Sequence, residues 1–184
     1  IISGLRGYSG LFGSVGKDGT ISEVKGVILT NSRFYADETG VGGIAMAISD
    51  SEITDCHVAH NVLLLVKDNT RDVGGIVAAM CAINVVKNST SAATIVVKEG
   101  CTVNKIGGLV GWAAEMITNN LVVGADIPKV GDNCGTVIGM GGDGAQDNYY
   151  IGCTFDGKPN ATDVGWGQEM EDNTDLDGAV AGWQ

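Results

Sequence analysis

The sequence predicts an all-β chain wound as a right-handed parallel β-solenoid of about five coils. Three observations lead there. One glycine-rich phrase returns five times at nearly constant spacing. Between its copies lie short β-branched runs broken by polar or glycine-containing turns. The composition also disfavours a core built on large side chains, with 29 glycines, 2 prolines and 5% aromatic residues in 184. Val, Ile, Leu and Ala must then fill the interior, which suits thin, regular, stacked layers. The glycines follow no three-residue period, so collagen is excluded.

The phrase reads YSGLFG (8–13), VGGIAM (41–46), VGGIVA (73–78), KIGGLVG (105–111) and NCGTVIG (133–139). Anchored on the second glycine slot, its copies stand at Gly10, Gly43, Gly75, Gly108 and Thr136, spaced by 33, 32, 33 and 28 residues. A fixed period of this kind marks a repeat architecture. Each copy predicts a strand that begins at the glycine pair. Leu11, Ile44, Ile76, Val77, Leu109, Val110 and Val137 should stack in register, at least half of them inward. Glycine weakens a strand, so its recurrence in one slot needs a geometric reason. Either the corner has positive φ, or one backbone approaches the next coil, about 4.8 Å away, too closely for a side chain.

A second phrase follows each anchor by about ten residues: TISEVKG (20–26), EITDCHV (52–58), VVKNSTS (85–91), MITNNLV (116–122) and QDNYYIG (146–152). Its common feature is a polar or Asn/Asp step after an apolar one. A third, β-branched stretch closes several repeats, as VILT (27–30), VLLLV (62–66) and TIVV (94–97). Each repeat thus offers about three short strands. The period also suits helical repeats, but these need runs of helix formers with apolar residues at i, i+3 and i+4. Only GGIAMAI and VAAMCAI tolerate a helix, and glycine pairs lead both. Parallel stacking makes a right-handed crossover the default. Residues 1–155 form the solenoid on this reading, and residues 156–184 a less regular acidic cap or linker.

Gly107-Gly108-Leu109-Val110-Gly111, with Ile53, Asp55 and Cys56 in the second phrase, resembles the GLUG-motif repeat of bacterial extracellular and cell-surface proteins. That repeat runs Gly-Gly-Leu-Val-Gly, a short polar turn, an apolar residue, then Asn-Cys and a β-rich tail. The resemblance covers roughly residues 8–155. The chain departs from it at Thr136 and in the Cys slot, read as Val24, Ser89, Asn120 and Tyr149 in the other copies. The resemblance implies a β-solenoid in a secreted or surface-attached, adhesin-like protein, and it carries over no catalytic residues.

The net charge of −11 is unevenly placed. Residues 131–184 hold ten acids against Lys158 alone, whereas residues 1–130 hold twelve acids and ten bases. This argues against nucleic acid or an anionic membrane as partner. No apolar run approaches membrane-spanning length. The chain opens Ile-Ile-Ser without a basic-plus-apolar leader, as expected of a processed or excised piece. Cys56, Cys81, Cys101, Cys134 and Cys153 fit no zinc spacing and leave one thiol over in any pairing scheme. Buried free thiols acting as small hydrophobes are the simpler reading, with disulfides left open.

Candidate chemistry is sparse. His57 and His60 point to opposite faces on a strand, so they cannot share a metal there, while Asp55 and His57 share a face as an acid–base pair would. NTDLDG (173–178) places Asn173, Asp175 and Asp177 at alternate positions of a calcium loop, with Gly178 at the turn. Position 12 falls on Gln184, which supplies no bidentate carboxylate. Asp143 and Asp147 form a second, sparser oxygen set. Trp112, Trp166, Trp183, Tyr149, Tyr150 and Phe155 suit either sugar stacking or the cap that a terminal repeat requires.

These readings converge on a non-enzymatic adhesion or recognition module, secreted or at the cell surface, with a protein or glycan ligand and no resident cofactor. Calcium is the one ion it invites. A carbohydrate-binding or carbohydrate-processing β-helix is the alternative, and processing needs acids clustered across coils, a column the strand phrases do not display. Self-assembly through open solenoid ends is a third reading.

Overall fold

The computed structural model describes residues 1–16, 19, 21–114, 116–131, 133–159 and 168–169, and within them the chain is all β. The first coil comprises β1 (Ile2–Ser3), β2 (Arg6–Tyr8), β3 (Phe12–Val15) and β4 (Ser22–Lys25). The second comprises β5 (Ile28–Thr30), β6 (Arg33–Tyr35), β7 (Gly40–Gly42) and the long β8 (Ala45–Thr54). The third repeats this plan as β9 (His57–Val58), β10 (Leu63–Val66), β11 (Thr70–Gly74) and β12 (Val77–Lys87). In the fourth, β13 (Thr90–Ser91), β14 (Thr94–Val97) and β15 (Val103–Gly107) precede β16 (Val110–Ala113) and β17 (Met116–Thr118). The fifth holds β18 (Leu121–Val123), β19 (Asp126–Ile127), β20 (Asn133–Gly135), β21 (Ile138–Gly141) and β22 (Ala145–Gln146). Then come β23 (Tyr149–Ile151), β24 (Thr154–Phe155), β25 (Lys158–Pro159) and β26 (Gln168–Glu169).

Like strands of successive coils pair in parallel, which makes the molecule a β-solenoid of about five turns. One sheet runs β1-β5-β9-β13-β18-β23-β26, a second β2-β6-β10-β14, a third β7-β11-β15-β20, and a fourth carries β3 and β4 on β8, then β12 and its successors. The ladder Phe12↔Ala45↔Val77↔Val110↔Ile138 has the same spacing as the glycine anchors. Among the described residues only β25 reverses direction, folding back on β24 through Asp156 and Gly157, both at positive φ as a tight hairpin requires.

Period-2 alternation turns one residue of each strand inward, and in-register stacking converts these into apolar columns. Phe34, Leu64 and Ile95 form one, Val41, Val73, Ile106 and Cys134 a second, and Ile53, Val86 and Ile117 a third, all buried. Ile44, Ile76, Leu109 and Val137 are fully buried but sit at the corner between strands, not within them. They still stack in register, because Ile44 N donates to Ile76 O, Ile76 N to Leu109 O and Leu109 N to Val137 O. In the second, third and fourth copies a strand ends at the first glycine (Gly42, Gly74, Gly107), and the second glycine (Gly43, Gly75, Gly108) begins the corner.

Two features of the coil differ from the sequence pattern. Four sides, not three strands, complete a turn. VILT also stacks in a different sheet from VLLLV and TIVV: β5 pairs with β9, whereas β10 and β14 continue the column begun by β2 and β6. Composition alone equates these runs; their place relative to the corners separates them.

The corners explain the recurring small and polar residues. Within the second phrase, Gly26, Asp55, Asn88, Asn119 and Asp147 all adopt positive φ, between 51° and 67°. Gly, Asn and Asp are the residues that enter this region at least cost. The next residue points inward at Cys56, Ser89, Asn120 and Asn148, each nearly or fully buried. Ser89 N donates to Asn120 Oδ1 (2.9 Å), and Asn120 Nδ2 donates to Asn148 Oδ1 (2.9 Å) and Val86 O (3.0 Å). Ser89 and Asn120 therefore occupy the slot read from sequence, but Asn148 takes the place assigned to Tyr149, and Val24 lies earlier, on β4. Among the described residues every buried side-chain polar atom has a partner.

Candidate functional site

The sites suggested by sequence have structural explanations where they are described. Asp55 is a corner residue whose carboxylate meets Lys25 Nζ at 3.4 Å and accepts from Asn88 Nδ2 at 3.2 Å. His57 lies outward on β9, its Nδ1 2.8 Å from Thr90 Oγ1 in the next coil. Burial lowers the His57 pKa below its usual value, against the opposing pull of the Asp55 charge. His60 is exposed in the turn after β9, where its carbonyl accepts from Thr94 Oγ1. Asp147 belongs to the positive-φ column, and Asp143 is exposed.

Tyr150 and Phe155 are buried in the last coils, so neither offers a ring to a ligand. Tyr149 is half-buried. Trp112 lies on the outer face of β16 with Lys105 Nζ 5.2 Å from its ring centre. Lys105 also pairs with Asp72 (3.0 Å), whose side chain is only 2% exposed. None of the five thiols is joined in a disulfide: Cys56, Cys134 and Cys153 are buried, Cys101 is partly covered and Cys81 is exposed. Burial raises the Cys56 pKa. Asn173, Asp175, Asp177, Gly178 and Gln184, with Trp166 and Trp183, lie outside the described residues.

The most unusual surface is one the sequence pattern did not point to, the outer face of β2-β6-β10-β14. Its register places Arg6 beside Arg33 and Tyr8 beside Tyr35 on neighbouring coils. Alternation turns these four side chains outward, since Gly7 and Phe34 between them take the inward column. The tyrosine rings pack against each other at a tilt of 45° with centroids 5.8 Å apart, and Lys67 Nζ lies 4.2 Å from the Tyr35 ring centre. Tyr8 is 72% exposed. The signal was present as Arg-Gly-Tyr (6–8) and Arg-Phe-Tyr (33–35), which share no glycine anchor.

A side-chain clamp holds the tyrosine end of this face. Asp37 accepts from Ser9 Oγ (2.8 Å), Thr39 N (2.8 Å), Thr39 Oγ1 (2.5 Å) and Gly40 N (3.0 Å). Burial alone would raise its pKa, but these donors outweigh it and hold the carboxyl at about 2. Because Ser9 follows Tyr8 and Asp37 lies just after Tyr35, the charged carboxylate ties the two tyrosine-bearing strands together. At the other end, Asn31, Ser32, Asn61 and Leu63 join the arginines around a shallow concavity that no carboxylate lines.

The opposing surface carries a carboxylate pair. Glu23 and Glu52 stand in register on β4 and β8, both exposed. The strand phrases obscured this column because Val85 and Met116 continue it in later coils. Among the described residues, no group of three His, Cys, Asp or Glu side chains is placed to hold a metal ion, and no helix is long and apolar enough to cross a membrane. No protein-family model, curated protein or solved structure matches the chain.

Proposed function

We propose that the chain is a non-catalytic recognition module of a secreted or surface-attached bacterial protein, of the adhesin-like kind that the GLUG-like phrase implies. It engages its ligand on the β2-β6-β10-β14 face. The observation that carries this reading is the tilted Tyr8–Tyr35 ring pair on a flat sheet, with Tyr8 exposed, Tyr35 half-buried and cations on either side. Exposed tyrosine offers large contact area with few rotors to freeze, and a flat in-register face suits an extended ligand better than a small molecule, which needs a deep cavity.

The test is binding of the 184-residue chain to arrayed glycans and extracellular proteins, repeated with Tyr8→Ala/Tyr35→Ala and with Ile83→Ser. Ile83 is 74% exposed on β12, away from the tyrosine face. Binding lost in the tyrosine variant and kept in the other supports the reading. Binding that ignores Tyr8 and Tyr35 sinks it.

One observation favours a second reading, a carbohydrate-processing β-helix. Adjacent strands bring Glu23 and Glu52 close to the carboxyl separation of about 5 Å used by retaining glycosidases. Glycan turnover abolished by Glu52→Gln would favour this reading over the non-catalytic one.

A further inference from the structure

We infer that Arg6 and Arg33, with the amides of Asn31 and Asn61, form an oxyanion subsite for an acidic glycan. The glycan's charged substituent lies between the two guanidinium groups while an adjoining ring packs on Tyr8. This deepens the proposed recognition face and rests on it.

Three observations lead to it. Arg6 and Arg33 are direct register partners on neighbouring parallel strands, at the strand-to-strand separation of about 4.8 Å. Like charges placed opposite each other destabilise a sheet. Among the described residues neither guanidinium group has a hydrogen bond or an ion pair, although acids outnumber bases 22 to 11 in the chain. An anion bridging both guanidinium groups converts that repulsion into two charge-assisted contacts, and the planar fork of arginine suits a carboxylate or sulfate. The concavity between them is lined by neutral donors and backbone, with no acid to repel such a group.

The adjoining tyrosines select the rest of the ligand. Tyr8 stands two residues from Arg6 on the same strand face, about 6.7 Å along the strand. That distance is on the order of one pyranose ring. A sugar bearing the anion at the arginines thus sets its own or its neighbour's ring over an aromatic face. The Asp37 clamp keeps Tyr8 and Tyr35 in place, and Lys67 over Tyr35 adds a cation at the far side of the pair. An acidic peptide lacks the flat ring that this pairing of cation and exposed aromatic selects, and extended peptides draw affinity from main-chain pairing along a free sheet edge. β2 is the end strand of this sheet, so a peptide pairing there would lie beside it in the plane of the sheet and not across the outward face from which Arg6, Arg33, Tyr8 and Tyr35 project.

The experiment is calorimetric titration of the full chain with four probes at equal ionic strength. These are an oligogalacturonate, a heparin-derived tetrasaccharide, an uncharged cello-oligosaccharide and polyglutamate. The parent should bind the carboxylated or the sulfated glycan at least tenfold tighter than the uncharged one. The arm that binds identifies the source of the anion. Arg6→Gln/Arg33→Gln should weaken that binding tenfold or more, with a far-UV spectrum unchanged and a melting temperature equal or higher, since the repulsion is gone. Tyr8→Ala should weaken it as well. If charged and uncharged glycans bind equally and Tyr8→Ala abolishes both, the oxyanion subsite is refuted while the recognition face stands. If polyglutamate binds as well as either acidic glycan, the glycan assignment is overturned. If no glycan binds, this inference fails, and protein ligands on the array decide the broader reading separately.

Discussion

Replacing Gly75 by alanine adds a single methyl group where the fold has no room for one. A Cβ there would lie 2.0 Å from the carbonyl oxygen of Gly108 in the next coil and 1.9 Å from Ser91 Oγ. Ser91 Oγ can rotate aside; Ser91 Cβ, at 2.8 Å, and the carbonyl are fixed in the stack. Ordinary contact begins near 3.4 Å, so the coils must part by more than an ångström at this corner. Gly75 N donates to Gly107 O there, and Ile76 N to Leu109 O at 2.8 Å. Overpacking of this kind costs about 1–3 kcal/mol, and each backbone bond weakened adds about 1 kcal/mol. The expected loss is therefore about 3–5 kcal/mol. Gly124 supplies the contrast. It has φ +59°, and a methyl group there would meet nothing within 4 Å, so Gly124→Ala should cost roughly 1–2 kcal/mol through backbone conformation alone. Urea titrations followed by far-UV circular dichroism compare the two midpoints. If Gly75→Ala is no more destabilising than Gly124→Ala, close approach is not what the recurring glycine provides.

Three further outcomes follow from the same structure. Asn120→Leu takes the side-chain acceptor from Ser89 N, the side-chain donor from Val86 O and one of two donors from Asn148 Oδ1 in the interior and should destabilise by about 2–4 kcal/mol; a change under about 0.5 kcal/mol would deny the internal ladder a stabilising role. Lys105→Met leaves Asp72 as an unpaired buried charge and should cost about 3–5 kcal/mol, whereas Asp72→Asn/Lys105→Met should recover most of it. The lowered His57 pKa means that the folded state favours neutral imidazole and the unfolded chain takes up the proton first. Its contribution is complete above the ordinary value of 6.5 and is lost as pH falls through the folded value. The melting temperature should drop between about pH 7.5 and 5.5, and His57→Asn should flatten that slope; an equal slope in both proteins would count against the assignment.

Much of the architecture was legible because its causes are local. The period survives in the glycine phrase, since Gly43, Gly75 and Gly108 all meet the same obstacle, a carbonyl of the following coil. Thr136 departs from the phrase for the converse reason. Its strand neighbours β20 and β21 end their sheets, so no further carbonyl faces it among the described residues. The Asn/Asp step of the second phrase was equally readable, because positive φ selects those residue types wherever the corner falls. The buried polar ladder was half legible: Ser89 and Asn120 occupy the slot, but Asn148 was displaced by one residue in favour of the more conspicuous tyrosine.

Residue order alone was enough to make the chain all β, repetitive, parallel-stacked and turned by small or αL-tolerant residues, since backbone preference and period need no knowledge of distant partners. The choice between the two explanations of the glycine slot needed the folded chain. Gly43, Gly75 and Gly108 serve close approach without positive φ, whereas Gly10, at φ 138°, meets both conditions. So did the question of which runs stack, and hence which side chains meet on the surface. Arg6 and Arg33 become neighbours, as do Tyr8 and Tyr35, Glu23 and Glu52, or Asp72 and Lys105, only when a full coil of intervening chain closes in one register. That register is set by the summed packing of every inward column, because a slip of one residue would turn each of them outward.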